Sequence, residues 1–377
     1  MVHTAYFPNY VSPPGETLAE VLEDRGMSQA ELARRTGLAK KTINEIIKGK
    51  APITPGTALK LERVLGVPAS FWNAREQRYR EFLARQAERR SLEAQIKWVR
   101  QFPVKEMIRR GWLPAADDLI EQFEHLLRFF GVASPTQWQA VWGKPVEAQA
   151  AFRTAQKYEN NPYALAAWLR YGERQAQRMA CAPYDKQKFI EVLSRIRRLT
   201  AEMPPDWQAR VMQWCAEAGV AVVFTPQLPG THLSGATRWI SPRCAVLQVS
   251  LRYKTDDQLW FSFFHEAAHI LKHGKRRLFL ERWGPPMSDR EEEEANRMAA
   301  DLLIPPQAYR HFQPAGEHYS LVEIEAFARK IGVSPGIVVG RLQHDGKLPM
   351  HVGNKLKRRL EWEDASSRTE EMEEKDA

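Results

Sequence analysis

The chain has 377 residues, 44% hydrophobic and 27% charged, with a formal net charge of +9; this excludes wholesale disorder, and the length calls for two or three domains. No uncharged apolar run approaches the roughly 18 residues of a membrane span, and the first residues lack the basic-then-apolar pattern of an export signal. Three well-separated cysteines, Cys181, Cys215 and Cys244, exclude a disulfide framework and a paired-cysteine metal knuckle, and fit a reducing cytoplasm.

Residues 1–13 are Pro-rich and irregular. Residues 15–90 read as short helices ending in a longer one from Phe71 to about Arg90. Residues 1–100 hold 17 Lys/Arg against 11 Asp/Glu, a surplus of 6. A basic end suits a polyanion, although a solvated basic surface has the same composition. Ser28 with Glu31 is spaced as a capping box, so a helix is expected from Ser28 to Thr36. Gly37 stops it by accepting the left-handed conformation. A second helix, Ala39 to Lys48, buries Ile43, Ile46 and Ile47 and shows Lys40, Lys41, Thr42, Asn44 and Lys48 on its other face. Two short helices around a Gly turn form a helix-turn-helix, whose second helix enters the DNA major groove. Lys40 and Lys41 can neutralise phosphates, Thr42 and Asn44 can reach bases or backbone, and Gln29 can donate to a phosphate.

These residues closely resemble HigA-type antitoxins of the XRE helix-turn-helix family. The likeness runs through Pro14-Gly-Glu-Thr-Leu, Ser28-Gln-Ala-Glu-Leu-Ala, Lys41-Thr-Ile-Asn-Glu-Ile-Ile-Lys-Gly and Leu65-Gly-Val-Pro-Ala-Ser-Phe-Trp, about residues 12–90. It implies operator binding by a dimer, with Gln29, Lys40, Lys41, Thr42 and Asn44 at the DNA.

Residues 92–200 are again helical in period, with Trp98, Phe102, Trp112, Phe123, Phe129 and Trp138 at core-like spacing. Val220–Thr225, Ser234–Ile240 and Ala245–Leu251 read as strands. Asp256–His273 is a predicted helix, Leu278–Leu280 a predicted edge strand, and Ser288–Leu303 a helix stopped by Pro305-Pro306. Ser320–Leu348 reads as two helices around Gly332. The segment Ile324 to Leu342 is also helix-turn-helix-like, but its apolar second helix (Ile337, Val338, Val339) suits a prop for the neighbouring site. The cysteines read as buried apolar residues.

The sequence Phe264-His265-Glu266-Ala267-Ala268-His269 is an HExxH on an apolar helix. Spacing i, i+4 puts both imidazoles on one face, where they can bind one Zn2+, and Glu266 beside them can deprotonate a water. A metzincin would need His where Lys275 stands, so that class is excluded. His273 continues the series but lies about 12 Å from His265 along a straight helix, too far for the same ion; it reads as a helix-end residue or one bracing a ligand. The third ligand is sought among the acids of Arg290-Glu-Glu-Glu-Glu-Ala-Asn-Arg-Met-Ala-Ala-Asp-Leu-Leu. Ala295, Ala299, Leu302 and Leu303 mark the buried stripe, which Glu292 joins; Glu291 and Glu293 are the alternatives. Asn296, i+4 from Glu292, can brace a ligand histidine. Candidates to donate to a carbonyl oxygen are His232, Arg238, His318 and Tyr319, and an extended substrate would add along a strand edge within 234–251.

Residues 235–306 strongly resemble the ImmA/IrrE family of zinc-dependent endopeptidases. Phe263 to His273 and Glu292 to Pro305 carry its two motifs, with Ala268 where the family usually has Gly and Met298 where it has Phe. The resemblance implies a gluzincin-like protease that cleaves an XRE-type repressor. The expected architecture is α+β and mostly helical. Its parts are a DNA-binding domain over 1–91, a helical sensor or dimerisation region over 92–205, a zinc peptidase over 206–350 and a charged tail over 351–377. Expected partners are double-stranded operator DNA, a repressor-like protein substrate, a toxin or repressor encoded nearby, and a second copy of the chain. The alternative is an antitoxin or repressor whose zinc fold only senses or scaffolds.

Overall fold

The computed structural model describes residues 11–143, 161–231, 233–252, 254–272, 289–313 and 318–361. The chain divides into two compact units, Met1–Ile96 and Lys97–Ala377. Among the described residues no helix is long and apolar enough to cross a membrane.

The described residues of the first unit form five helices: α1 (Pro14–Asp24), α2 (Gln29–Thr36), α3 (Lys40–Ile47), α4 (Pro55–Leu65) and α5 (Ala69–Ala94). Leu18, Leu32, Ile43, Ile46, Leu61 and Trp72 meet in its core. Ser28 caps α2, its hydroxyl accepting the Glu31 N–H at 3.2 Å. Gly37 ends α2 at φ 71°, a conformation costly for a residue with a Cβ. The expected capping box forms only by half. The Glu31 carboxylate turns to Arg35 at 2.7 Å and to Arg34, because two guanidinium groups one turn away compete with a single backbone N–H. Ser28→Ala should therefore lower the stability of this unit by about 1 kcal/mol, read from denaturant unfolding of α2-bearing protein.

In the second unit, α6 (Val104–Arg109), α7 (Leu119–Phe130) and α8 (Pro135–Trp138) precede α9 (Pro162–Ala176), α10 (Lys186–Glu202) and α11 (Trp207–Glu217). Strands β1 (Val220–Phe224), β2 (Gly235–Ser241) and β3 (Cys244–Val249) follow. After them come α12 (Asp256–Lys272), α13 (Asp289–Leu303), α14 (Pro306–His311), α15 (Leu321–Ile331) and α16 (Pro335–His344). The sheet order is β1-β3-β2, with β1 parallel and β2 antiparallel to β3. Thus β3 is central, and the edge expected within 234–251 belongs to β2 alone. The segment Leu278–Leu280 lies outside the described residues.

The sheet is covered on both faces. Val220, Val222, Leu247 and Val249 join α10, α11 and α12 in the main core. Ala221, Val223 and Val246 point the other way, onto Ala176 of α9. α9 approaches closely enough that a Cβ on Gly172 would lie 2.0 Å from Gln248 Oε1. Residue 205 is therefore not a packing boundary: α9 and α10, from the stretch expected to be a separate region, supply the layers that a strand apolar on both sides requires.

The segment from 351 is not a free tail as far as residue 361. Thr255 and Arg359 form an antiparallel bridge. Asp256 and Arg358 exchange backbone and carboxylate bonds at 3.0 Å. Lys357 Nζ meets Asp257 Oδ2 at 2.7 Å and Gln343 Oε1 at 2.8 Å. This strap and Ser334, whose hydroxyl donates to Asp256, fix the start of α12. Residues 362–377 of the expected tail lie outside the described residues.

Candidate functional site

α12 carries the HExxH residues. Leu259, Trp260, Phe263, Phe264, Ala267 and Ile270 are buried in the core, which fixes the helix's rotation and aims His265 and His269 at α13. On α13, Ala295 and Ala299 are fully buried, so Glu292, three and seven residues earlier, shares their inward stripe. His265 Nε2 and His269 Nε2 lie 2.9 Å apart. Glu292 Oε2 is 3.2 Å from His265 Nε2, and Oε1 is 3.8 Å from His269 Nε2. Among the described residues these three form a group whose donor atoms all lie within 4.8 Å of one another.

Two imidazole nitrogens and one carboxylate suit zinc. A tetrahedral ion with ligands near 2.1 Å holds its donors about 3.4 Å apart, and the separations of 2.9, 3.2 and 3.8 Å bracket that value. Asn296 Oδ1 lies 2.9 Å from His265 Nδ1. An Nδ1–H donating to that oxygen leaves the Nε2 lone pair facing the cluster. Burial favours neutral His265, but the Glu292 hydrogen bond and the charges of Glu266 and Glu292 outweigh it, so its pKa lies above the ordinary value. Burial would raise Glu292, but hydrogen bonds with His265 and His269 hold it far below the usual carboxylate range.

Glu266 is buried beside this cluster and packs on the first residue of β2: a Cβ on Gly235 would sit 2.6 Å from its Cγ and 2.9 Å from its Oε1. Thr237 Oγ1 donates to the Glu266 carbonyl at 3.2 Å. Neither Gly235 nor Thr237 stood out in the sequence; the available signal was a glycine opening a strand, which permits close approach. A cavity of about 350 Å³, lined by residues that include Phe261, Asn296, Arg297, Ile304 and Ile337, adjoins the brace on His265.

Of the expected carbonyl-oxygen donors, Arg238 and Tyr319 are engaged elsewhere. Arg238 alternates with Gly235 and Thr237 along β2 and so points to the opposite face. There it donates to the Leu169 carbonyl and lies 3.8 Å from Glu173. Tyr319 is buried, its hydroxyl donating to the Phe312 carbonyl at 3.1 Å. His318 is exposed. His232 and His273 lie outside the described residues.

On the first unit, Lys40 and Lys41 are exposed, and Gln29, Thr42 and Asn44 are half-buried. Lys41 Nζ is 3.9 Å from Glu45, a weak exposed pair. Ile43 and Ile46 are buried on the opposite side of α3.

Residues 18–72 match the family model for the helix-turn-helix, and residues 215–343 match that for the IrrE N-terminal-like domain. The HTH-type transcriptional regulator YddM of Escherichia coli is 36% identical over 59 residues, 16% of this chain. The chain spans 63% of that regulator's length. An addiction module antidote protein of the HigA family from Coxiella burnetii is 30% identical. That match covers 22% of this chain and 91% of the other, at a TM-score of 0.21. Pseudomonas aeruginosa antitoxin HigA, solved with the higBA promoter, is 29% identical. It covers 22% of this chain and 94% of its own, at a TM-score of 0.22. The chain thus joins an N-terminal helix-turn-helix domain of the XRE type to a C-terminal IrrE-like domain.

Proposed function

We propose that the protein is a DNA-binding regulator whose IrrE-like domain is a zinc-dependent endopeptidase acting on a specific regulatory protein, such as an XRE-type repressor. The observation that carries this reading is the convergence of His265, His269 and Glu292, with Glu266 buried alongside. Zinc bound there would polarise the scissile carbonyl and acidify a water. Asn296 orients His265. Glu266 accepts the proton of the attacking water and passes it to the leaving amine. The outer side of β2, which pairs with no strand among the described residues and starts beside Glu266 at Gly235, can pair with an extended substrate by backbone hydrogen bonds. The cavity adjoining Asn296 is a recess where a substrate side chain can lodge.

The test uses the full chain and the XRE-type repressors encoded beside it. Cleavage should stop on chelation and return with zinc. Because His265 must lose its proton to ligate, and its pKa is raised, zinc affinity should keep climbing with pH past the ordinary imidazole range before it levels off, measured by competition with a chelator. Retained cleavage without any metal would overturn the reading.

The helix-turn-helix domain supplies operator binding, with Lys40 and Lys41 at phosphates and Gln29, Thr42 and Asn44 beside them. A second copy of the chain would read the second half-site. Lys40→Ala with Lys41→Ala should weaken binding across sequences and reduce the salt slope by about 2 per protomer. An unchanged slope in gel-shift titrations against salt would remove both lysines from the interface.

A further inference from the structure

We propose that Cys181 and Cys244 are an oxidisable dithiol that closes to a disulfide when a peroxide reaches it. The two residues are 63 positions apart and looked independent, yet the fold sets one thiol against the other. Ala182 N–H donates to the Ala216 carbonyl at 3.0 Å, and Tyr184 N–H to the Arg243 carbonyl at 2.8 Å, so the segment after α9 runs beside the start of β3. Both thiols are half-buried and pack with Met179 and Ile240 against the same small cluster on the α9 face of the sheet. They are reachable from solvent, whereas Cys215 is fully buried.

The two sulfurs are not equivalent. The Cys181 thiol and the Ala221 N–H face the Cys244 sulfur; they outweigh burial and lower the Cys244 pKa. That same thiol contact, with burial, raises Cys181. In its protonated form the Cys244 thiol has a long contact of 3.6 Å to the Ala245 carbonyl. Cys244 is therefore the attacking thiolate. It displaces water from hydrogen peroxide to give a sulfenic acid. The Cys181 sulfur then attacks the Cys244 sulfur, an S–S bond forms, the S–O bond breaks and a second water leaves. Two thiol hydrogens and two electrons pass to the peroxide, which is reduced to two waters. The product ties the α9–α10 connection to the central strand.

The experiment treats reduced full-length protein with hydrogen peroxide, followed by thiol counting and peptide mapping. Free thiols should fall from three to one, with a Cys181–Cys244 cross-linked peptide that dithiothreitol releases. Cys181→Ser should instead accumulate a dimedone-reactive sulfenic acid on Cys244, and Cys215→Ser should behave as the unaltered chain. The reduced Cys181→Ser protein should unfold at the unaltered temperature, which separates lost chemistry from lost folding. Three surviving thiols, a bridge to Cys215, or oxidation of Cys244 only to sulfinic acid would overturn the proposal. None of these readouts depends on zinc, DNA or proteolysis.

Discussion

Glu266→Gln should retain its zinc and its fold and lose repressor cleavage by about 10²–10⁴-fold. The side chain is 5% exposed and is hemmed by Gly235, so an isosteric amide fits where a larger residue would not. A glutamine cannot accept the water's proton, which isolates that step from ligation. Removing a negative charge beside His265 also removes one influence that raises its pKa, so metal uptake at neutral pH should not suffer. Metal analysis and single-turnover cleavage, run side by side, check both halves. A variant that cleaves at the unaltered rate would leave a regulator in which zinc serves only the fold.

Lys357→Met should lower the stability of the second unit by about 3–5 kcal/mol. Asp257 is 4% exposed, and the Lys357 ammonium meets it at 2.7 Å. Deleting that cation strands a carboxylate at the start of α12, where Gly340 already leaves little space: a Cβ there would lie 2.8 Å from Asp257 Oδ2. The fall in melting temperature should be roughly 5–8 °C for a unit of this size, measured by calorimetry. Asp257→Asn combined with Lys357→Met should recover part of the loss, because the buried charge goes with its partner. A single variant that melts normally would mean that water reaches Asp257.

Local signals carried far in this chain. Hydrophobic alternation and turn residues placed the three strands to within about two residues. The stripe of Ala295 and Ala299 favoured Glu292 over Glu291 and Glu293, and spacing offered Asn296 as a brace for one of the two histidines. What failed to show was set by partners distant in sequence. Arg238 is one residue out of phase with Gly235, and in a strand that difference selects the opposite face. Glu31 had the right spacing for its cap and a better electrostatic alternative. The uninterrupted apolar run Val220–Val223 read as a strand, but nothing in it told which helices would cover its two faces. Neither composition nor periodicity could bring Cys181 to Cys244, since the pairing depends on how α9 returns along the sheet.

The bridge between Thr255 and Arg359 makes the last described stretch of chain a handle on the candidate metal ligands. From Asp256 to His265 is nine residues of continuous helix, about 14 Å of stiff rod. A tug on residue 361 is felt first by the Leu360 N–H to Lys254 carbonyl bond of 2.9 Å, and then at the root of that rod. A bulky fusion joined closely after residue 361 should thus disturb zinc occupancy, while the same cargo on a long flexible spacer should leave it alone.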